Sequence, residues 1–290
     1  MVRGWYTAAS GMNAQQHRMD QISNNLANVN TTGYKRDRSI HKAFPELMLR
    51  RLNDDGVRSV PLSGADPVLG SFDQAPVVGR LGTGVEQNEV YTDFSQGSVR
   101  QTHNDFDLAL EGDGFFMVET PQGERLTRDG SFQLGPEGLL VTDQGYPVLG
   151  ENGYIRVTEN NFDIDEDGVV SYNAQFGQDP NEFVSERGNL WEDTQEVDRI
   201  AIVNVDRPRY LEKQGENLWN TTWESGEPRI AAEGERPQVL QGFVESANVE
   251  PVREMVEMIQ VNRAYEANQR VIHTQDESTQ QLLSTVMRAQ

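Results

Sequence analysis

Both ends of this chain carry apolar residues that step by three and four, and that repeat limits what the chain can fold into. Near the N-terminus they fall at Trp5, Ala8, Met12, Met19, Ile22, Leu26 and Val29, with Gln15 the single polar residue on the stripe. Near the C-terminus they fall at Met258, Val261, Tyr265, Ile272, Leu282 and Val286, with Asn268, Gln275 and Thr279 as polar members. Val252, Val256 and Ile259 widen the first half of that stripe. A mean step of about three and a half residues is the seam of a coiled coil. The breakers Asn28, Asn30, Thr31, Thr32 and Gly33 end the first helix, which is predicted over 3–29. Pro251 suits the first turn of the second. Isolated helices gain little from propensity alone, so both need partners along their length. Helices from opposite ends of a chain suit the packing of an assembly better than a catalytic core.

The polar residues on the stripes have two readings. Gln15, Asn268 and Gln275 in a seam would cost stability yet fix register and partner number. Alternatively, each lies at the edge of its stripe and is solvated.

Between the helices the pattern changes. Phe44, Leu47, Met48 and Leu52 fit a second short helix, with Pro45 near its first turn. Residues 53–85 are rich in Gly, Pro, Asp and Ser and read as an extended connector. From 86 to 172 short β-rich runs alternate with turns at Gln122-Gly123, Asp129-Gly130, Glu137-Gly138, Gln144-Gly145 and Asp167-Gly168. Arg199–Val205 and Leu240–Val244 read as further strands, and Tyr210, Leu218, Trp219 and Trp223 as residues that bury well. The expected fold is α+β. N- and C-terminal amphipathic helices pack as a coiled-coil-like core module, and a central antiparallel β-rich domain lies between them. The expected divisions are 1–40 with 250–290 for the helical module, 41–85 for the connector and 86–249 for the β-rich outer domain.

The formal charge is −21, and its distribution excludes some partners. Residues 61–249 hold 12 basic and 35 acidic side chains, while the two ends are nearly balanced. Such an acidic body opposes phosphate-backbone binding and reads as a solvated, self-repelling surface. The short basic cluster Lys35, Arg36, Arg38 has no aromatic platform beyond Tyr34, so no nucleic acid is expected. No run of about 18 apolar residues marks a membrane span. The start of the chain lacks the apolar h-region of a secretory signal, so any route out of the cytoplasm is expected to be independent of one. The chain has no cysteine, which excludes disulfides, thiolate metal sites and cysteine nucleophiles.

The constellations that carry chemistry are weak. Asp163, Asp165, Asp167 and Gly168 match the opening of a calcium loop, but the twelfth position, which needs a bidentate Glu, is Ala174. A hairpin turn at Asp167-Gly168 is the preferred reading. His17, His41, His103 and His273 do not pair at metal-ligand spacing. No nucleophile elbow, phosphate loop or dinucleotide fingerprint is present. The chain is therefore expected to be no enzyme, with no cofactor and no metal.

Several ordered motifs carry a resemblance. Ser10-Gly11-Met12 is followed by Ile22-Ser-Asn24-Asn25-Leu26-Ala27-Asn28-Val29-Asn30-Thr31-Thr32-Gly33-Tyr34-Lys35. This run resembles the N-terminal signature of the bacterial flagellar axial proteins. Gly112-Asp113-Gly114-Phe115-Phe116 and Thr127-Arg128-Asp129-Gly130-Ser131-Phe132 resemble the body domain of rod and hook proteins. Gln241-Gly242-Phe243-Val244-Glu245-Ser246-Ala247-Asn248-Val249, with Met258 to Glu266, resembles the C-terminal segment of rod proteins. The chain thus resembles the flagellar basal-body rod protein family, of FlgF/FlgG type. Gly145–Gly153 is closer to the proximal-rod FlgF type, while Leu81–Val85 and the 258–266 run are close to the distal-rod FlgG type. The acidic stretch 175–197 fits neither.

The resemblance implies terminal helices lining a hollow helical tube and a β-rich domain projecting outward. The implied partners are further copies of the chain, other rod proteins, and hook–basal-body neighbours and rings. It also implies export by the flagellar type III apparatus without a cleaved signal, to the periplasmic rod of the basal body. On this reading the chain is a proximal-rod structural subunit, part of the torque-transmitting drive shaft, with a distal-rod subunit as the alternative. The rivals are a β-rich cell-wall or calcium-binding module and a wall hydrolase. The expected assembly interface comprises Trp5, Met12, Gln15, Met19, Ile22, Asn24, Asn25, Leu26, Asn28, Met258, Val261, Tyr265, Asn268 and Ile272. Within it, Asn24, Asn25 and Asn28 are expected to cap or bridge the end of the first helix, because Asn side chains bond readily to nearby backbone.

Overall fold

The computed structural model describes residues 2–44, 47–50, 58–59, 71–72, 77–82, 84–157, 162–173, 194–215, 217–232, 234 and 236–288. Most of the connector, Ala174 and the acidic stretch up to residue 193 lie outside the described residues. The fold is α+β. Helix α1 (Val2–Ala27) and helix α2 (Pro251–Arg288) flank, in sequence, a middle built of short antiparallel strands. The chain divides into two compact units. The first comprises Met1–Asp20, Ser39–Glu89 and Glu257–Gln290, and the second Gln21–Arg38 and Val90–Val256.

In the first unit the helix expected around Phe44 to Leu52 does not form. Leu47–Arg50 is a strand, paired antiparallel with Val77–Leu81. Just before it, Asp37–Ala43 is also a strand, paired with Val85–Thr92; the ends Asp37–Arg38 and Val90–Thr92 of this pair belong to the second unit. Periodicity over so few residues cannot separate a buried strand from a helical turn, and a partner some thirty residues along the chain decides it.

In the second unit, six strands order as Glu212–Gln214, Leu218–Asn220, Gly123–Thr127, Phe115–Thr120, Ile202–Asn204 and Arg229–Ile230. The apolar run Phe115-Phe116-Met117-Val118 is continuous because its strand is covered on both faces. Successive side chains of a strand point to opposite faces. Phe116 and Val118 enter the larger core with Leu108, Phe132, Leu140, Ile155, Ile200 and Ile202, all fully buried. Phe115 and Met117 point the other way, to a smaller cluster with Leu126, Val203 and Trp219. There the Phe94 ring meets Phe115 edge-on at 5.5 Å and Trp219 at 5.6 Å. Burying each large side chain of this kind stabilises the unit by about 1.5–3 kcal/mol.

The single strand expected over Leu240–Val244 is two. Gly242 has φ of +78°, which halts the ladder. Gln238–Gln241 then pairs with Leu108–Glu111, and Phe243–Glu245 with Val99–Gln101. The acidic motif at 163–168 is a hairpin turn, as expected: Gly168 has φ of +76° and donates its N–H to Asp165 O at 2.8 Å. Two aromatic expectations need correction. Trp219 is fully buried, but Tyr210 is 44% and Trp223 90% exposed. Reciprocal bonds between Thr222 and Ser225 close the turn and turn Trp223 outward.

Candidate functional site

The motifs that carried the resemblance converge in the second unit on one buried polar cluster. At its centre lies the carboxylate of Glu245, 2% exposed. It accepts from Lys35 Nζ at 2.6 Å, from the Gly97 N–H at 2.7 Å and from Arg128 Nη1 at 3.4 Å. Lys35 is 1% exposed and also donates to Ser95 O at 3.0 Å. Burial pulls the Lys35 ammonium below the usual lysine range, against the opposing pull of Glu245. Burial likewise lowers Arg128, with Glu245 and Asp113 opposing. Beside this cluster Arg36 Nη2 meets the buried Glu254 at 2.7 Å, and the Arg36 N–H donates to Asn248 Oδ1 at 2.7 Å. Asn248 Nδ2 in turn donates to Asp93 O and Ser95 O.

The Asn-rich end of α1 is tied to the same place. Asn25, 1% exposed, accepts from the Asp37 N–H at 3.1 Å and donates to Asp37 O at 3.0 Å. The hydroxyl of the fully buried Tyr34 donates to Asn24 Oδ1 and Asn25 Oδ1, each at 3.1 Å. Asn28 Nδ2 donates back to Asn24 O at 3.0 Å. Thr32 Oγ1 donates to Asp129 Oδ1 at 2.6 Å. Gly33 donates its N–H to Glu245 O at 2.8 Å. It has φ of +66°, and a side chain there would overlap the backbone of Arg128 and Asp129. Glycine is the residue that permits both the conformation and the approach. The cluster presents no reacting pair: every charged group in it is engaged by an opposite charge or a backbone group.

The expected interface residues divide between the two units. Trp5, Met12, Gln15, Met19, Met258, Val261, Tyr265, Asn268 and Ile272 belong to the first, and Ile22, Asn24, Asn25, Leu26 and Asn28 to the second. Ile22 and Val261 are buried, Trp5 and Asn24 are exposed, and, Asn25 apart, the others are half-buried. Ala8 and Ala14 are also buried on α1. Within the first unit the two helices run antiparallel. Gly4 lies against the Gln275 amide, Gly11 against the Asn268 amide, and Arg18 Nη2 pairs with Glu257 at 3.5 Å. Val252, Met255, Val256 and Ile259 of α2 stay exposed, as do Leu282, Leu283, Val286 and Met287. No helix among the described residues is long and apolar enough to cross a membrane. No group of three or more His, Asp or Glu side chains among them is placed to hold a metal ion.

Sequence reasoning missed the ionic cluster. Lys35, Arg128, Glu245 and Asn248 all stand in the motifs quoted above, but Lys35 and Arg36 enter there only as a short basic cluster weighed for nucleic acid. No signal in the sequence marked these charges as buried, because the partners lie far apart along the chain: Lys35 and Glu245 are 210 residues apart.

Three family models match the chain. "Flagella basal body rod protein" covers residues 6–35, "Flagellar hook protein FlgE/F/G D1 domain" residues 109–172, and "Flagellar basal body rod FlgEFG protein C-terminal" residues 240–285. The cluster above joins residues from all three stretches or their margins. The chain belongs to the flagellar basal-body rod protein family, and it is a structural subunit of the rod. It is 37% identical to the flagellar basal-body rod protein FlgG of Buchnera aphidicola subsp. Schizaphis graminum over 287 residues, covering 97% of this chain and 99% of that one. It is 34% identical to FlgF of Caulobacter vibrioides over 271 residues, covering 92% and 91%. It is also 34% identical to FlgG of the same organism over 279 residues, covering 94% and 95%.

Proposed function

We propose that this subunit is non-enzymatic and polymerises through its terminal helices into the hollow, torque-transmitting shaft. Copies of itself and other rod proteins are its partners there, and hook–basal-body neighbours and rings adjoin it. The observation that carries this reading is the apolar surface left on α2. Val252, Met255, Val256 and Ile259 recur at helical spacing and are 48–69% exposed, on a helix whose opposite stripe is already covered. A contiguous exposed apolar face marks an association surface. In this account residues 1–40 and 250–290 act as a coiled-coil-like core module. Residues 86–249 project outward, with 41–85 between them. The subunit leaves the cell body through the flagellar type III apparatus without a cleaved signal and sits in the periplasmic rod.

Two rod positions are supported by different observations. The Gly145–Gly153 run supports the FlgF-like proximal position. The FlgG name carried by most of the relatives, along nearly their whole length, supports the FlgG-like distal position. We adopt the distal reading, because more of these relatives carry the FlgG name, at identities of up to 37% against 34% for the FlgF relative. Quantitative mass spectrometry of purified hook–basal bodies, scaled to the hook protein, tests it. Copies sufficient for several helical turns are expected. A handful of copies would return the assignment to the proximal rod, and none at all would remove the assembly role.

A further inference from the structure

We propose that Gln275 and Asn268 set the register of the terminal helices by seating in two glycine notches, Gly4 and Gly11. The inference deepens the assembly reading and rests on it. Gly4 and Gly11 stand seven residues apart on α1, and Asn268 and Gln275 stand seven apart on α2, in the opposite sense. Each glycine meets one amide. A Cβ on Gly11 would come within 2.9 Å of Asn268 Nδ2, and a Cβ on Gly4 would overlap Gln275 Nε2. Any side chain at either position would therefore displace its amide.

Glycine weakens a helix interior relative to alanine, so two glycines one heptad apart stand against the propensity of α1. Their return is the space they leave. Gln275 Oε1 is enclosed with no hydrogen-bond donor among the described residues. A buried amide left partly unsatisfied costs stability and adds none. A polar residue at a seam position is a known means of choosing one alignment at such a cost.

The alignment is unique. Slipping α2 by one heptad in one direction carries Asn268 to Gly4 and sets Val261 against Gly11, which drives Gln275 past the start of α1. Slipping it the other way sets Leu282 against Gly4 and Asn268 against Arg18. Only the observed register matches both amides to both notches. The apolar stripes alone repeat every seven residues and would accept all three. In an assembly of several subunits with similar stripes, this pairing keeps each chain's ends aligned with each other.

The chain has no cysteine, so introduced thiols report register without background. Ala8→Cys with Ile272→Cys reads the observed alignment, and Ala8→Cys with Tyr265→Cys reads a one-heptad slip. Both pairs are scored in isolated basal bodies with a short bifunctional thiol reagent, counting links within one chain. With the amides intact, the first pair should link at least about tenfold more than the second. With Asn268→Leu and Gln275→Leu added, the ratio should fall to about threefold or less. An unchanged ratio would overturn the proposal, as would failure of the first pair with the amides intact. Asn268→Ala and Gln275→Ala give a second background with the same expectation if the leucine chain does not incorporate. If the reporter chain with native amides is absent from basal bodies, the assembly reading falls. The same pairs scored on the purified full chain then decide the register.

Discussion

Glu245 is the residue on which the motif-bearing segments depend. It neutralises two buried cations, Lys35 and Arg128, and takes a backbone N–H besides. Removing one side of a buried ion pair leaves an uncompensated charge and costs about 3–5 kcal/mol. Glu245→Gln should therefore lower the stability of the full chain by about that amount in urea unfolding. Lys35→Met should cost less, because Arg128 still serves the carboxylate. The pH dependence of the parent, measured against that second variant, is opposite to the usual expectation for a paired lysine. The folded chain holds Lys35 below the ordinary value, so on the alkaline side the unfolded chain binds more protons there. Stability from this group then rises as pH climbs from the lowered folded value toward the ordinary one. The parent should gain on Lys35→Met across that window, and a parent that loses ground there would contradict the burial argument. None of this was legible in sequence. Lys35 and Glu245 lie 210 residues apart, and a basic triplet beside an Asn-rich turn carries no mark of burial.

At the scale of elements, the two helices were the most legible part of the chain. Their stripes run over about seven and eight turns, long enough for the period to declare itself. The short strands were less so. Asp37–Ala43 mixes charged and small residues without clean alternation, and Leu47–Arg50 is four residues long, so each depended on a distant partner. Trp223 shows the same limit from the other side: composition said bury, and a Thr–Ser turn exposed it. The end of α2 offers a test at this scale. Leu282, Leu283, Val286 and Met287 are all exposed, so removing residues 281–290 should change the unfolding free energy of the full chain by no more than about 0.5 kcal/mol. The same truncation should sharply reduce incorporation into basal bodies. A large loss of stability would mean that this end is used within the chain rather than between chains.

At the scale of the whole molecule, the −21 charge lies in the middle of the chain, and its ends are nearly neutral. Copies brought together by their ends must bring acidic bodies close, and that repulsion is screened within about 8–10 Å at physiological salt. The sequence showed this separation of roles plainly, as a difference between terminal and central composition. It could not show the polar cluster inside the second unit, because Lys35 with Glu245 and Arg36 with Asn248 are contacts between residues far apart in sequence. The central claim is that an exposed face of α2 carries assembly, and Ile259 tests it most directly. It is 52% exposed, so Ile259→Asp removes little packing within the chain. Hook–basal bodies should be isolated from cells in which this variant is the sole copy. The account predicts rods that stop short, no hook, and a purified variant that unfolds like the parent. Complete basal bodies and normal swimming with Asp at 259 would contradict it.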